Sequence, residues 1–321
     1  MPSTTTPLLL DTALPARRPH LQAALLAAAL LLAGAALGTA LAGAWGWNLA
    51  TAAPPAASAP STPPPSLAPD CFFALGGGTI RSGGVLPDAH TRSAACAPAL
   101  AAYLASGAYD ADVVAATASA AAYLASIPRP SPAALVVMDV DETALSNRAE
   151  WMGWEGGEGV AGAPPATLRA RLDGAALDGS APALAPTLRL YRAALAAGFS
   201  VAFVTGRSGR PEVRNATVAN LEDAGYGRAC GEQTGAVFAL APRASRDAPP
   251  CYSALLMRPP NDGRPASVVK PTLRAALLAA ATEADPAAAL VASVGDQFSD
   301  LGGDPSPHAA FKLPNPVYFF V

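Results

Sequence analysis

Ala134-Leu135-Val136-Val137-Met138-Asp139-Val140-Asp141-Glu142-Thr143 decides the fold of this chain. The first five residues are apolar and rich in branched side chains, the composition of a buried strand. Two carboxylates two residues apart then stand where the strand gives way to a loop. In an open α/β sheet that edge is where ligands bind. Both acids can face one pocket while the backbone carbonyl between them stays free. Such a group can attack phosphorus, transfer a proton and hold a divalent cation. A solvated acidic turn would read the same in isolation, so the surrounding pattern matters.

That pattern alternates. Phe199-Ser200-Val201-Ala202-Phe203-Val204 reads as a second strand, residues 253–257 and 289–294 as further strands, and 309–312 as a short edge strand. Helices are expected at about 182–197, 210–224 and 271–283. Alternation of this kind implies a parallel sheet with helices on both faces, a three-layer Rossmann-like α/β core. Upstream, residues 97–127 are Ala-rich with apolar residues at helical spacing and a break at Gly107. They predict two helices that extend the core on its N-terminal side. Residues 151–179 are Gly-rich and read as irregular.

Three more signals fall at the ends of strands. Thr205-Gly206-Arg207 offers a hydroxyl and backbone N–H groups at a helix entrance, a way to hold phosphate oxygens. Lys270 is one of only two lysines, with Lys312, in a chain whose other basic residues are Arg. It is expected just before a helix that Pro271 opens, and a compact ammonium suits a phosphate. Gly295-Asp296-Gln297-Phe298-Ser299-Asp300 adds two acids directly after a strand. Asp139, Asp141, Asp296 and Asp300 gathered at one edge call for a counter-cation. All the ligands are hard oxygens, so Mg2+ is the natural choice.

Composition narrows the remainder. The 321 residues are 51% hydrophobic and 14% charged, with a net charge of −3, so no electrostatic footprint for nucleic acid is present. His20, His90 and His308 lack metal-ligand spacing, and Cys71, Cys96, Cys230 and Cys251 contain no Cys-x-x-Cys pair. Residues 1–20 are polar and carry Arg17 and Arg18. Residues 21–44 are apolar and would reach roughly 36 Å as a helix at ~1.5 Å per residue, enough for a ~30 Å hydrocarbon core. They read as a transmembrane anchor or a signal peptide, with Ala42-Gly43-Ala44 as a cleavage-like site. The Arg pair would keep residues 1–20 cytoplasmic. The expected destination is the secretory pathway: a single-pass protein with a lumenal or extracellular domain, or a secreted or vacuolar one after cleavage. A Pro-rich linker occupies 45–69, and the globular domain is expected over 70–321. Asn215-Ala216-Thr217 is an N-glycosylation sequon.

The order Asp-x-Asp-x-Thr, Thr, Lys, paired Asp resembles the haloacid dehalogenase superfamily. Four stretches narrow the resemblance. They are Asp139-Val140-Asp141-Glu142-Thr143-Ala144-Leu145-Ser146-Asn147, Phe203-Val204-Thr205-Gly206-Arg207-Ser208, Gly295-Asp296-Gln297-Phe298-Ser299-Asp300-Leu301 and Phe311-Lys312-Leu313-Pro314-Asn315-Pro316-Val317-Tyr318. They look like the plant acid phosphatase and vegetative storage protein family. The resemblance implies a haloacid dehalogenase core with a small or absent cap. It also implies a magnesium-dependent acid phosphatase acting on small phosphate monoesters. Asp139 would be the nucleophile and Asp141 the general acid/base. Thr205, Gly206 and Lys270 would bind phosphate, and Asp139, Asp141 (through its carbonyl), Asp296 and Asp300 would hold the metal. Transfer of phosphate to an alcohol by the same intermediate, or a storage role with vestigial activity, are the alternatives. The pairing Cys71–Cys96 with Cys230–Cys251, one of three possible, is chosen with this resemblance in view. The chain departs from the family's pattern at Phe298, where Trp is usual, at Pro271, and across 169–180, where an acidic, Trp-containing segment is not evident.

Overall fold

A computed structural model of the chain describes residues 97–128, 130, 133–148, 165–231, 249–316 and 318. Two helices come first, α1 (Ala97–Ala105) and α2 (Ala108–Ser126), separated as expected by Gly107, whose φ of 77° is a left-handed conformation open to glycine. Then follow β1 (Ala134–Met138), α3 (Pro165–Asp178), α4 (Ala185–Ala197), β2 (Ser200–Ser208) and α5 (Pro211–Asp223). The chain continues through β3 (Arg228–Ala229), β4 (Cys251–Tyr252), β5 (Ala254–Arg258), α6 (Ala266–Ala284), β6 (Ala289–Gly295), α7 (Phe298–Leu301) and β7 (Ala309–Lys312).

The main sheet runs β5-β2-β1-β6-β7, and every pairing is parallel. The path moves outward from β1 through β2 to β5, then returns across the sheet to β6 on the other side of β1. Strand order therefore reverses at β1, and the carboxyl ends of β1 and β6 flank the switch point where such sheets open a crevice. Side-chain alternation divides the core in two. Val136, Met138, Val201, Phe203, Leu255 and Met257 face α2 and α4. Leu135, Val137, Ala202, Val204, Ala254 and Leu256 face α6, meeting Leu277 and Ala281. Burial on both faces explains why the strands read as continuous apolar runs. Helix α2 buries Tyr109, Val113, Ala116, Ala120 and Leu124, a stripe at spacings of three and four.

An aromatic group ties this core to the loop after β1. Phe203 packs edge-on against Tyr226 and Tyr252, at centroid separations of 5.5 Å and 5.3 Å, and stacks with Tyr191 at 5.9 Å. The Tyr191 hydroxyl donates to the Tyr226 carbonyl at 2.7 Å, and the Tyr226 hydroxyl donates to the Ala144 carbonyl at 2.9 Å. Burial pushes the Tyr226 phenol far up, so it remains a donor.

Three expectations need correction. The stretch 151–179 was read as irregular, yet α3 forms within it. Leu172 and Ala176, four residues apart, are both buried and give the helix a core-facing stripe despite Gly174. Pro271 was placed at the start of a helix, but α6 begins at Ala266 and holds Pro271 in its interior. The proline ring costs one helical hydrogen bond and packs against Gly303, where a Cβ would collide with it. The membrane reading is corrected as well. Among the described residues no helix is long and apolar enough to cross a membrane, so none of them supports a single-pass arrangement, and residues 21–44 lie outside the described residues. Cys71 and Cys96 also lie outside the described residues.

Cys230 and Cys251 form the disulfide anticipated, with 21 residues of separation. It fastens the small β3–β4 pair, where Cys230 N also donates to the Tyr252 carbonyl at 2.9 Å. A loop of this length predicts a loss of about 3 kcal/mol in unfolding free energy when both cysteines become serine. Urea denaturation of Cys230→Ser/Cys251→Ser measures it, and an unshifted midpoint would count against a stabilising role.

Candidate active site

The turn after β1 is built from its own backbone. Ala144 N and Leu145 N both donate to the Val140 carbonyl, at 2.9 Å and 2.8 Å. Closing so tightly places Glu142 at φ 52°, an uncommon conformation for a residue with a side chain. The buried Glu142 carboxylate accepts the Asn147 N–H at 3.0 Å, which locks the strained position from within. The result aims Asp139 and Asp141 from adjacent points of one loop. Asp139 N donates to the Val294 carbonyl at 3.0 Å, joining the loop to the end of β6.

Asp139, Asp296 and Asp300 converge there. One carboxylate oxygen from each lies within 4.8 Å of the others, and all three residues are buried. Lys270 reaches this group from α6, with Nζ 2.9 Å from Asp139 Oδ1 and 2.5 Å from Asp300 Oδ1. The approach to Asp139 has the separation of an ion pair without hydrogen-bond geometry, so Asp139 Oδ1 is buried with no hydrogen-bond partner. Burial first, then the neighbouring Asp300, push the Asp139 carboxyl well above the usual carboxylate range, and Lys270 only partly offsets this. Burial likewise raises Asp300 against the opposing pull of Lys270. The lysine is held protonated: burial would lower it, but Asp139, Asp300 and Asp296 outweigh that. Three buried carboxylates outnumber the two ammonium groups in reach of them, Lys270 and the Lys312 that burial pulls down, and leave a deficit of positive charge. An oxygen-rich set with an orphaned carboxylate oxygen fits a hard divalent cation.

Asp141 is treated differently. Its carboxylate lies outside the three-acid group and forms a fork with the buried Arg207. Nε lies 3.1 Å from Oδ1 and 3.0 Å from Oδ2, and Nη2 is 2.8 Å from Oδ1. Asn147 Nδ2 adds a bond to Oδ1 at 2.9 Å. Burial alone would push this carboxyl up, but the charge and hydrogen bonds of Arg207, with Asn147 and Lys270, hold it below the usual range. Arg207 is itself anchored, since its Nη1 donates at 3.1 Å to Thr217 Oγ1 on α5. Thr217 thus faces inward while Asn215, the sequon asparagine, is exposed.

Of the expected phosphate ligands, Gly206 and Lys270 line the same cavity as Asp139 and Asp141. Thr205 is fully buried beside them, its hydroxyl accepting the Arg207 N–H at 3.1 Å. Sequence reasoning did not single out Arg207, Asn147 or Thr217 as site residues. Arg207 and Asn147 were present in the motifs, but a fork across 66 residues has no signature in the chain. The cavity also includes Leu172 and Asp173 of α3, Arg258 at the end of β5, and Tyr318. Asp173 Oδ2 pairs with Arg210 at 3.4 Å. The segment that lacks the expected acidic, Trp-containing pattern therefore still contributes to the cavity wall.

Arg274 braces the acidic loop from behind. Its buried guanidinium donates to the Ser299 and Asp300 carbonyls, at 2.9 Å and 3.2 Å, and to the Gly302 carbonyl. Gly295 permits the close approach, because a Cβ there would strike the Asp300 carboxylate.

Removing one partner of the Asp141–Arg207 fork leaves a buried charge uncompensated. Arg207→Met is expected to cost ~3–5 kcal/mol of stability, and Arg207→Met/Asp141→Asn to recover part of it. Equal losses in the single and double variants, measured by urea unfolding, would show that the ion pair is not the source.

Residues 83–320 match the family described as the acid phosphatases of HAD superfamily subfamily IIIB. Acid phosphatase 1 of Solanum lycopersicum is 32% identical over 186 residues, covering 58% of this chain and 58% of that protein. Stem 28 kDa glycoprotein of Glycine max is 30% identical over 144 residues, 44% of each. The chain thus spans about half the length of the curated relatives it matches. Among solved structures, the class C acid phosphatase from Bacillus anthracis is 18% identical with a TM-score of 0.46, covering 70% of this chain and 86% of that one. With the family match running from Gly83 to beyond the last strand, the chain belongs to the acid phosphatase family, subfamily IIIB of the HAD superfamily.

Proposed function

We propose that residues 70–321 form a magnesium-dependent acid phosphatase that hydrolyses small phosphate monoesters through an aspartyl-phosphate. The observation that carries this reading is the buried Asp139 carboxylate at the sheet's switch point. One of its oxygens lacks a hydrogen bond, and the Lys270 ammonium sits beside it. An unsolvated carboxylate oxygen is a competent nucleophile toward phosphorus. Membership of an acid phosphatase family supports the same conclusion.

In this mechanism Asp139 attacks phosphorus, the bond to the leaving oxygen breaks, and Asp141 donates the proton that oxygen needs. Water then attacks the aspartyl-phosphate, and Asp141 takes its proton, which regenerates the free carboxylate. An acidic medium loads Asp141 with the proton it gives up in the first half, and the fork with Arg207, by favouring the ionised form, helps that proton leave. Lys270 neutralises charge on the transferring group, and the backbone at Gly206 and the Thr205 hydroxyl orient it. Asp139, Asp296 and Asp300, with the Asp141 carbonyl, would hold Mg2+. Bound there, the cation supplies Lewis-acid stabilisation of the phosphoryl oxygens. The intact Asp139 favours this over a storage role with vestigial activity.

A secreted or vacuolar setting is the location we infer. The Cys230–Cys251 bond supports an oxidising compartment, and three relatives are named as stem glycoproteins.

Substitution separates the two leading aspartates. Asp139→Asn removes the nucleophile, so no covalent phosphate is expected. Asp141→Asn keeps it, so labelled phosphoenzyme is expected to accumulate from an activated aryl phosphate while turnover falls by ~10²–10⁴-fold. Label trapped in Asp139→Asn, or mapped to a peptide without residue 139, would overturn the assignment. The metal is tested separately. Phosphate release is expected to stop in excess chelator and return on adding Mg2+, and full activity in chelator would remove the metal role.

A further inference from the structure

Asp296 is held in a way that nothing in the reaction scheme uses. Its Oδ2 accepts two side-chain amides at once. One comes from its neighbour Gln297, and the other from Asn315, whose Nδ2 lies 2.6 Å away across 19 residues. Its Oδ1 has only a long contact, 3.4 Å, from the Thr143 hydroxyl. One oxygen is saturated by two amides and the other is nearly bare, and one Asp296 oxygen lies within 4.8 Å of oxygens of Asp139 and Asp300.

Asn315 is placed for this by the segment that follows β7. Leu313 N donates to the Gly295 carbonyl at 2.8 Å, which lays the segment along the end of β6, next to Asp296. Lys312 anchors the same turn, its buried Nζ donating to the Leu313 carbonyl at 2.8 Å. The Asn315 side chain closes it from the other end, Oδ1 accepting the Tyr318 N–H at 3.1 Å. Both ends of the amide are thus committed: the oxygen to the turn, the nitrogen to Asp296. Asn315 is 2% exposed. An amide is the side chain that fits, because it donates to the carboxylate without adding charge to a site already crowded with acids.

We propose that Asn315 is a positioning residue for the cation site, fixing Asp296 so that one of its oxygens is presented to a divalent cation. The inference rests on the metal reading given above and adds a residue from outside the acidic motifs. Groups that orient a metal ligand in this way tune affinity without touching the ion.

The test uses the full chain and Mg2+ itself, titrated calorimetrically into the wild type, Asn315→Ala and Asn315→Ser. Serine can still accept the Tyr318 N–H but is too short to reach Asp296, so it preserves the turn if alanine does not. Weakening of Mg2+ affinity by ~10–100-fold is expected in both variants, with phosphatase kcat returning to the wild-type value as Mg2+ is raised. Affinity within twofold of wild type in a folded variant would overturn the proposal. So would a loss of kcat that saturating Mg2+ does not rescue, since that marks a purely structural role. No Mg2+ binding by the wild type would instead remove the metal reading on which the proposal stands.

Discussion

Too much negative charge is buried in too small a space at the ends of β1 and β6. Asp139, Asp296 and Asp300 bring oxygens within 4.8 Å of one another. At an effective dielectric of ~20, two unit charges about 4 Å apart repel by ~4 kcal/mol. Lys270 pairs with two of them directly, and the buried Lys312 lies within electrostatic reach of Asp296 and Asp300. This imbalance organises the site. Burial first, with the neighbouring acids adding to it, raises the Asp139 and Asp300 carboxyls, and the same acids hold Lys270 as a cation. A cation held there, as we propose, would draw on the relief of that repulsion.

Holding such a cluster together requires rigid support on every side, and the fold supplies it mostly through main-chain carbonyls. Arg274 gathers the carbonyls of Ser299, Asp300 and Gly302. Ser293 Oγ donates to the Asp300 carbonyl at 2.6 Å. Tyr226 reaches Ala144 beyond the nucleophile turn, and Leu184 N donates to the same carbonyl at 2.9 Å. Each of these donors grips backbone, so each fixes a loop without competing for the carboxylates. The apolar layers behind them make the grip possible, since Phe203, Tyr191 and Tyr252 leave Tyr226 no other position to occupy.

Much of this was legible in the chain because strands bury continuous apolar runs and active sites sit at their carboxyl ends. Residues 134–138, 199–204 and 289–294 betrayed three neighbouring strands, and the acids and Thr immediately after them marked the edge that carries chemistry. The rarity of lysine pointed to Lys270. What escaped detection depends on contacts between distant segments. Helix α3 was hidden by a Gly-rich composition, since only packing reveals that Leu172 and Ala176 have a surface to bury against. Pro271 misled because a proline usually opens a helix, whereas here five residues of α6 precede it and Gly303 yields the space its ring occupies. Spacing showed four acids at one edge but could not show that the Asp141 carboxylate is held by Arg207, outside the group formed by Asp139, Asp296 and Asp300.

That capture gives the two aspartates of one loop opposite characters. Asp139 is buried against like charge, which raises its carboxyl, and its Oδ1 lacks a hydrogen bond while the Lys270 ammonium lies 2.9 Å away. Asp141, two residues on, is gripped by Arg207 and Asn147, which hold its carboxyl below the usual range. Neither character follows from residue type, since both are aspartates of the same turn. They follow from the partner each meets: a crowd of acids in one case, an arginine locked by Thr217 in the other. The division of labour we propose for the two aspartates therefore rests less on the Asp-x-Asp motif than on the neighbours that β2 and β6 bring to it. A chain that kept both acids but lost Arg207 would retain the motif while leaving the Asp141 carboxylate buried without its partner, and the loop would hold two acids of one kind where the mechanism we propose calls for two.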